Sequence, residues 1–163
     1  MELNYKNIEN VPQEDFLQLA EEYLIVEMAD EGGYKAENSQ QFVQYVLKAQ
    51  QQYGVMALIC YCDGMLAGFS IAQIDRKPNP WCYKEGQGFI REFFVRENFR
   101  KSGIGRKMVA YTEDALLNDG AQGLYLTPSH NESAQQFWRK MGYCDSGEIH
   151  PKNNQKIYIK ACD

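Results

Sequence analysis

Residues 88–105 read GFIREFFVRENFRKSGIG, and this stretch decides the fold. Its first half is apolar and its second half is a basic run carrying Arg100, Lys101, Ser102, Gly103, Ile104 and Gly105. A helical pattern begins at once near Ile104, so the reading is a strand, a glycine-bearing turn and an amphipathic helix in direct succession. A turn of this kind at a helix N-terminus aims several backbone N–H groups at one spot, where the helix dipole adds partial positive charge. The turn is expected to bind a diphosphate. From Arg96 to Lys107 there are five basic residues and one acid, a net +4, in a chain whose formal charge is −5. A basic island on an acidic protein points to a specific anion site and away from a nucleic-acid surface.

A chain of 163 residues, 44% hydrophobic and 13% aromatic, suits a single domain over 1–163 with a sizeable core and excludes disorder. The opening MELNYKNIENV lacks a basic region followed by an apolar run, and no apolar stretch approaches the length of a bilayer span. The expectation is a cytoplasmic protein with no membrane partner. Five cysteines, an odd count without a CxxC pair, argue for reduced thiols. Cys60 and Cys62 share one face of a strand, where core packing is favoured over zinc, and no metal is expected.

Outward from the turn, Glu2 to Ile8 reads as a first strand. Pro12 followed by QEDFLQLAEEYLIVEMA reads as a helix with proline in its first turn, stopped by Gly32 and Gly33. A second helix spans roughly Ser39 to Gln51, with Phe42, Val43, Val46 and Leu47 on one face. Val55 to Cys62 and Met65 to Ile74 flank Asp63 and Gly64, a two-residue hairpin signal. A proline-interrupted loop, Arg76 to Gln87, leads to the opening strand. Beyond the turn, Ile104, Met108, Tyr111 and Ala115 mark one helical face, and Gly120 closes the helix. A short strand from Gly123 to Thr127 follows, making a strand, helix, strand crossover between parallel neighbours. A last helix near Glu132 to Met141 has Ser129 and Asn131 as competing N-caps, and Tyr143 to Ile149 with Gln155 to Lys160 forms a final hairpin.

No GxxxxGK[ST] phosphate loop is present, and Gly103-Ile104-Gly105 lacks the full GxGxxG of a dinucleotide site. The spacing RxxGxG, filled by Arg100, Gly103 and Gly105, resembles the GNAT superfamily of acyl-CoA-dependent N-acetyltransferases. A second signature follows in NESAQQFWRKMGY, through Asn131, Ala134, Phe137, Lys140, Gly142 and Tyr143. The resemblance implies an α/β (α+β) fold: a mixed, mostly antiparallel sheet of six to seven strands flanked by about four helices. A V-shaped split lies between the fourth and fifth strands, here Phe89 to Arg96 and Gly123 to Thr127. It also implies acetyl-CoA as cosubstrate, its pantetheine arm against Phe93, Phe94 and Val95 and its pyrophosphate at Arg100, Lys101, Ser102, Gly103, Ile104, Gly105 and Arg106. An open strand edge can hydrogen-bond an extended ligand as another strand would.

Transfer of acetyl to an amine needs a neutral amine, a stabilised oxyanion and a route for the leaving thiolate. Glu92, beside Phe93 and Phe94, reads as a base through partial burial, or as one half of a cross-strand ion pair. The resemblance implies a backbone N–H of Phe94 or Val95 as the oxyanion donor, a role that needs no particular side chain. Many relatives carry a tyrosine one residue after Phe137, whereas this chain has Trp138, whose indole donates but is no acid. Either another tyrosine such as Tyr125 or Tyr143 supplies the proton, or none is needed. Trp138 reads as a cofactor contact or as core, Asn131 as a cofactor contact or an N-cap, and His130 and His150 as local hydrogen-bonding residues.

The resemblance implies an acceptor site drawn from the first helices, the loop before the fourth strand and the last hairpin. There Glu21, Glu22, Glu27, Asp30 and Glu31 with Tyr23, Tyr34, Trp81 and Tyr83 read as suited to a small cationic amine or as an ordinary solvated helix face. The alternatives are a peptide or protein amine, or a non-catalytic acyl-CoA sensor. A homodimer would fit the exposed ends of such a sheet.

Overall fold

The computed structural model describes residues 1–29 and 31–160. Its strands are β1 (Leu3–Asn7), β2 (Met56–Cys62), β3 (Met65–Ile74), β4 (Gly88–Val95), β5 (Leu124–Leu126), β6 (Tyr143–Ile149) and β7 (Lys156–Lys160). Its helices are α1 (Gln13–Glu27), α2 (Ala36–Tyr53), α3 (Ile104–Asn118) and α4 (Glu132–Lys140), with short 3-10 turns at Ile8–Asn10 and Glu97–Phe99. The strands hydrogen-bond in the order β1-β2-β3-β4-β5-β7-β6. β1 with β2, β5 with β7 and β6 with β7 run antiparallel, whereas β4 and β5 run parallel. This is the mixed seven-stranded sheet with four helices that the sequence implies. The parallel register pairs Gly88 with Leu124, Phe89 with Tyr125 and Ile90 with Leu126. There β5 ends, while β4 continues to Val95.

The chain forms two compact units, Met1–Ile71 with Glu92–Gly105 and Ala72–Arg91 with Arg106–Asp163. In the first, Phe16 and Leu19 of α1, Val43 of α2, Ile59 of β2, Phe69 of β3 and Phe94 of β4 share one apolar cluster. Burying side chains of this size contributes about 1.5–3 kcal/mol each. The second has a smaller aromatic centre in which Phe89 stacks on Tyr125 at 4.5 Å beside Ile157.

Local chemistry explains the element ends. Asp63 (φ 50°) and Gly64 (φ 81°) are both left-handed, the geometry that matches a tight two-residue hairpin to strand twist. Pro12 is the N-cap of α1 and lies one residue outside the first turn that the sequence suggests. That helix ends at Glu27, ahead of Gly32 and Gly33: the Met28 N–H makes the last i→i−4 bond, to the Leu24 carbonyl at 2.8 Å, and the Ala29 N–H turns to the Val26 carbonyl at 3.3 Å. α2 begins three residues earlier than its apolar face suggests, because Asn38 accepts the Lys35 N–H at 2.7 Å and caps the added turn. On α3 the buried face runs through Ile104, Met108, Thr112 and Leu116, and Tyr111 is 44% exposed. Thr112 donates its hydroxyl to the Met108 carbonyl at 2.9 Å, so a polar residue is accommodated where the sequence pattern favours the tyrosine.

Candidate active site

The candidate residues fall in both units. In the first, the end of β4 is shaped by a glycine on β3. A Cβ on Gly68 would lie 2.1 Å from the Phe94 carbonyl oxygen, so only glycine lets that carbonyl lie over β3. A trans peptide is planar, with its C=O and the next N–H pointing opposite ways. The Val95 N–H therefore points away from Gly68. Between the two backbone donors considered from sequence, Val95 is the one turned off β3.

The basic turn divides into residues that brace the backbone and residues that face outward. Arg96 donates through Nε to Glu22 at 3.0 Å and through its guanidinium to the Leu66 carbonyl at 3.2 Å. Arg100 folds back, donating Nε to the Val95 carbonyl at 2.8 Å with its guanidinium 5.7 Å from the Phe94 ring. Ser102 donates its hydroxyl to the Phe99 carbonyl. Lys101 (φ 64°) and Gly103 (φ 87°) are left-handed, and a Cβ at Gly103 would meet only open space. Lys101, Ser102 and Gly103 are exposed, while Ile104 is buried and starts α3. Successive left-handed and extended residues ahead of a helix form a concave run of N–H groups suited to an oxyanion. The residues present therefore fit a diphosphate, with Lys101 supplying charge at the rim.

Glu92 is half-buried on β4, and the Tyr23 hydroxyl of α1 donates to its Oε2. The Tyr23 ring lies 5.2 Å from Phe69, 5.7 Å from Phe94 and 6.0 Å from Phe42. Loss of hydration, and then the charges of Glu92 and Glu27, hold the Tyr23 phenol well above its ordinary range, so it stays protonated. The sequence offers Tyr23 only as one aromatic among several near the acceptor. Its spacing from Phe16, Leu19 and Ala20 puts it on the core face of α1, and that signal was there to be used.

In the second unit, Asn131 caps α4 by accepting the Ala134 N–H at 2.7 Å. Trp138 is buried, edge-on to Phe137 at 5.0 Å and to Tyr143 at 5.5 Å, which is the geometry of core packing. Tyr143 donates to Glu113 at 2.7 Å, and Tyr125 donates to Asp75. Burial first, then those hydrogen bonds, push both phenols far up, so neither releases a proton readily. Arg106 is exposed on α3, and His130 is exposed in the loop before α4. His150 is buried among Tyr83, Phe89 and Trp81 at 5.3–5.5 Å, and burial lowers its pKa.

Asp75 was not visible from sequence as a structural centre. Fully buried, it accepts from Gln73 Nε2 and from the Tyr83 and Lys84 N–H groups at 2.9 Å each, besides Tyr125. A short acid at the end of an apolar strand gives no sequence signal that its partners will come from a loop eight and nine residues on.

Several proposed acceptor contacts are already engaged. Glu22 is paired with Arg96, Tyr34 donates to Ser39 Oγ at 2.8 Å, and Arg91 and Lys152 lie 4.8 and 6.0 Å from the Trp81 ring. Asp30 lies outside the described residues. Among the described residues no group of three or more His, Cys, Asp or Glu side chains could hold a metal ion, and no helix is long and apolar enough to cross a membrane.

The family model described as the acetyltransferase (GNAT) family matches residues 14–143. No curated protein sequence matches the chain. Among solved structures, the PaiA N-acetyltransferase from Thermoplasma acidophilum, in complex with coenzyme A, aligns at TM-score 0.70 and 16% identity over 99% of this chain and 100% of that one. A GNAT-family acetyltransferase from Staphylococcus aureus Mu50 aligns at TM-score 0.72 and 16% identity over 98% of each chain. The aminoglycoside N-acetyltransferase AAC(6')-Iy, in complex with a bisubstrate analogue of coenzyme A and acetylneamine, aligns at TM-score 0.70 and 17% identity over 91% of this chain and 95% of that one. At these identities the likeness is one of fold.

Proposed function

We propose that this chain, which belongs to the acetyltransferase (GNAT) family and is an acyltransferase, moves acetyl from acetyl-CoA to the primary amine of a small cationic molecule. The reading takes residues 1–163 as one catalytic domain. The observation that carries it is the end of β4, where the Val95 N–H is turned off β3 immediately ahead of an open, basic turn. Acetyl-CoA supplies an activated thioester.

Lys101, Ser102, Gly103 and the first N–H groups of α3 bind the diphosphate, with Arg106 adding charge on the helix and Arg100 fixing the strand end through Val95. The backbone edge at Phe93 to Val95 aligns the extended pantetheine arm, and the Val95 N–H donates to the oxygen on which charge develops. Glu92 accepts the proton that the amine must lose, directly or through one water.

No tyrosine is needed as acid: a thiol with an ordinary pKa of about 8.5 leaves as a tolerable anion near neutral pH. The engaged phenols of Tyr125 and Tyr143 support that reading.

For the acceptor, Glu92 and Glu27 near the Tyr23 ring suit a cation, although Glu22 is committed to Arg96. A peptide amine is the second reading, and a non-catalytic acyl-CoA sensor is the third.

A thiol-release assay with acetyl-CoA separates the three. Turnover with polyamines, aminoglycosides or amino-acid derivatives supports the small-amine reading. Turnover only with a peptide N-terminus replaces it with the second, and acetyl-CoA binding without thiol release for any acceptor leaves the sensor.

A further inference from the structure

We propose that Tyr23 is a positioning residue for the transfer: its hydroxyl donates to Glu92 Oε2 and holds the carboxylate at one orientation on β4. The inference rests on the reading of Glu92 as the group that receives the amine's proton. A glutamate on a strand has three rotatable side-chain torsions, and its last one is broad, so an unassisted carboxylate samples many positions. Proton transfer needs it at hydrogen-bond distance from one nitrogen.

The Tyr23 ring supplies one constraint on that carboxylate. It is held between Phe42 of α2, Phe69 of β3 and Phe94 of β4, with centroids 5.2–6.0 Å away and edge-to-face or tilted contacts. Phe69 and Phe94 are themselves 5.9 Å apart, so the clamp is continuous with the core of this unit. A ring fixed on three sides has one polar atom, and that atom is on Glu92.

Glu27 acts on the phenol from the same helix and Glu92 from β4, while α2 and β3 present phenyl rings. Glu22, the neighbouring acid on α1, is paired with Arg96 at 3.0 Å. Burial, and then the charges of Glu92 and Glu27, keep the phenol's proton in place, so Tyr23 acts as a fixed donor and takes no part as an acid. A donated hydrogen bond favours the ionised carboxylate, the form that accepts a proton.

Tyr23→Phe keeps the ring and its packing and removes only the hydroxyl. The titration midpoint of Glu92 is read by carbon-13 NMR of glutamate-labelled protein, with the resonance assigned through Glu92→Gln, and thermal melts report folding. The midpoint should rise by about one pH unit in Tyr23→Phe, and the acid limb of the kcat profile should move with it. The kcat for acetyl transfer should fall about tenfold with KM for acetyl-CoA unchanged.

If Tyr23→Phe melts lower but leaves both the Glu92 midpoint and kcat in place, the hydroxyl is structural and the proposal is overturned while Glu92 keeps its role. If Glu92→Gln itself retains full turnover, the reading of Glu92 fails and the proposal falls with it. The Glu92→Gln result therefore separates the two failures.

Discussion

Replacing Gly68 with alanine should disable the site from the far side of β4. The added Cβ would lie 2.1 Å from the Phe94 carbonyl oxygen and 3.1 Å from both the Phe94 carbonyl carbon and the Val95 Cα. Restoring an ordinary contact of 3.4 Å to the oxygen requires a shift of about 1.3 Å, and all three atoms at fault are backbone, with no side chain to swing aside.

Overpacking of this kind typically costs about 1–3 kcal/mol, or roughly 3–10 °C of melting temperature in a chain of this size. The catalytic effect should be larger. The displaced peptide carries the Val95 N–H, and misplacing a positioned group by about 1 Å lowers rate about 100-fold. The assay is acetyl-CoA thiol release with the best amine, measured well below the melting transition and with folding checked by circular dichroism. A folded Gly68→Ala protein with kcat/KM within about threefold of wild type would refute the reasoning that this peptide aligns the thioester.

Gly103→Ala places a side chain at φ 87°, so strain of about 1–3 kcal/mol should remodel the turn and weaken coenzyme A binding about tenfold by calorimetry, although the site is open. Tyr143→Phe removes the 2.7 Å bond to Glu113 and should cost about 1–2 kcal/mol by denaturant melts, yet leave thiol release within about twofold, because a phenol pushed so far up is no proton source. The pKa of His150 is lowered in the fold, chiefly by burial, so below its unfolded value of about 6.5 the unfolded chain binds more protons and stability falls as pH falls. Melting temperature should therefore drop between about pH 7 and 5.5, and His150→Asn, which can still accept the Lys152 N–H, should flatten that slope.

The stretch from Gly88 to Gly105 was legible because three signals coincide there: an apolar strand, left-handed turn residues and a helix start. The hairpin at Asp63 and Gly64 and the cap at Asn131 were legible for the same local reason. What escaped the sequence depends on partners far along the chain. Arg100 reads as an anion ligand until its guanidinium is seen to fold back on Val95 and Phe94, and Glu22 reads as a substrate contact until Arg96, 74 residues away, takes it. The Tyr23 and Glu92 pair, 69 residues apart, and the burial of Asp75 belong to the same class. Tyr111 failed for another reason: an aromatic at helical spacing outweighs a threonine in any pattern, but the threonine's bond to its own helix reverses the choice.

The proposed activity is transfer of acetyl from acetyl-CoA to an amine with Glu92 taking the proton. Its most direct test is a single-turnover reaction with isotopically labelled acetyl-CoA and a small cationic amine, read by mass spectrometry for wild type and Glu92→Gln. Labelled N-acetyl product is expected from wild type, with a loss of about 100-fold or more in Glu92→Gln and coenzyme A binding retained in both. Equal product from both proteins, or binding of acetyl-CoA with no labelled product from any amine, would contradict it.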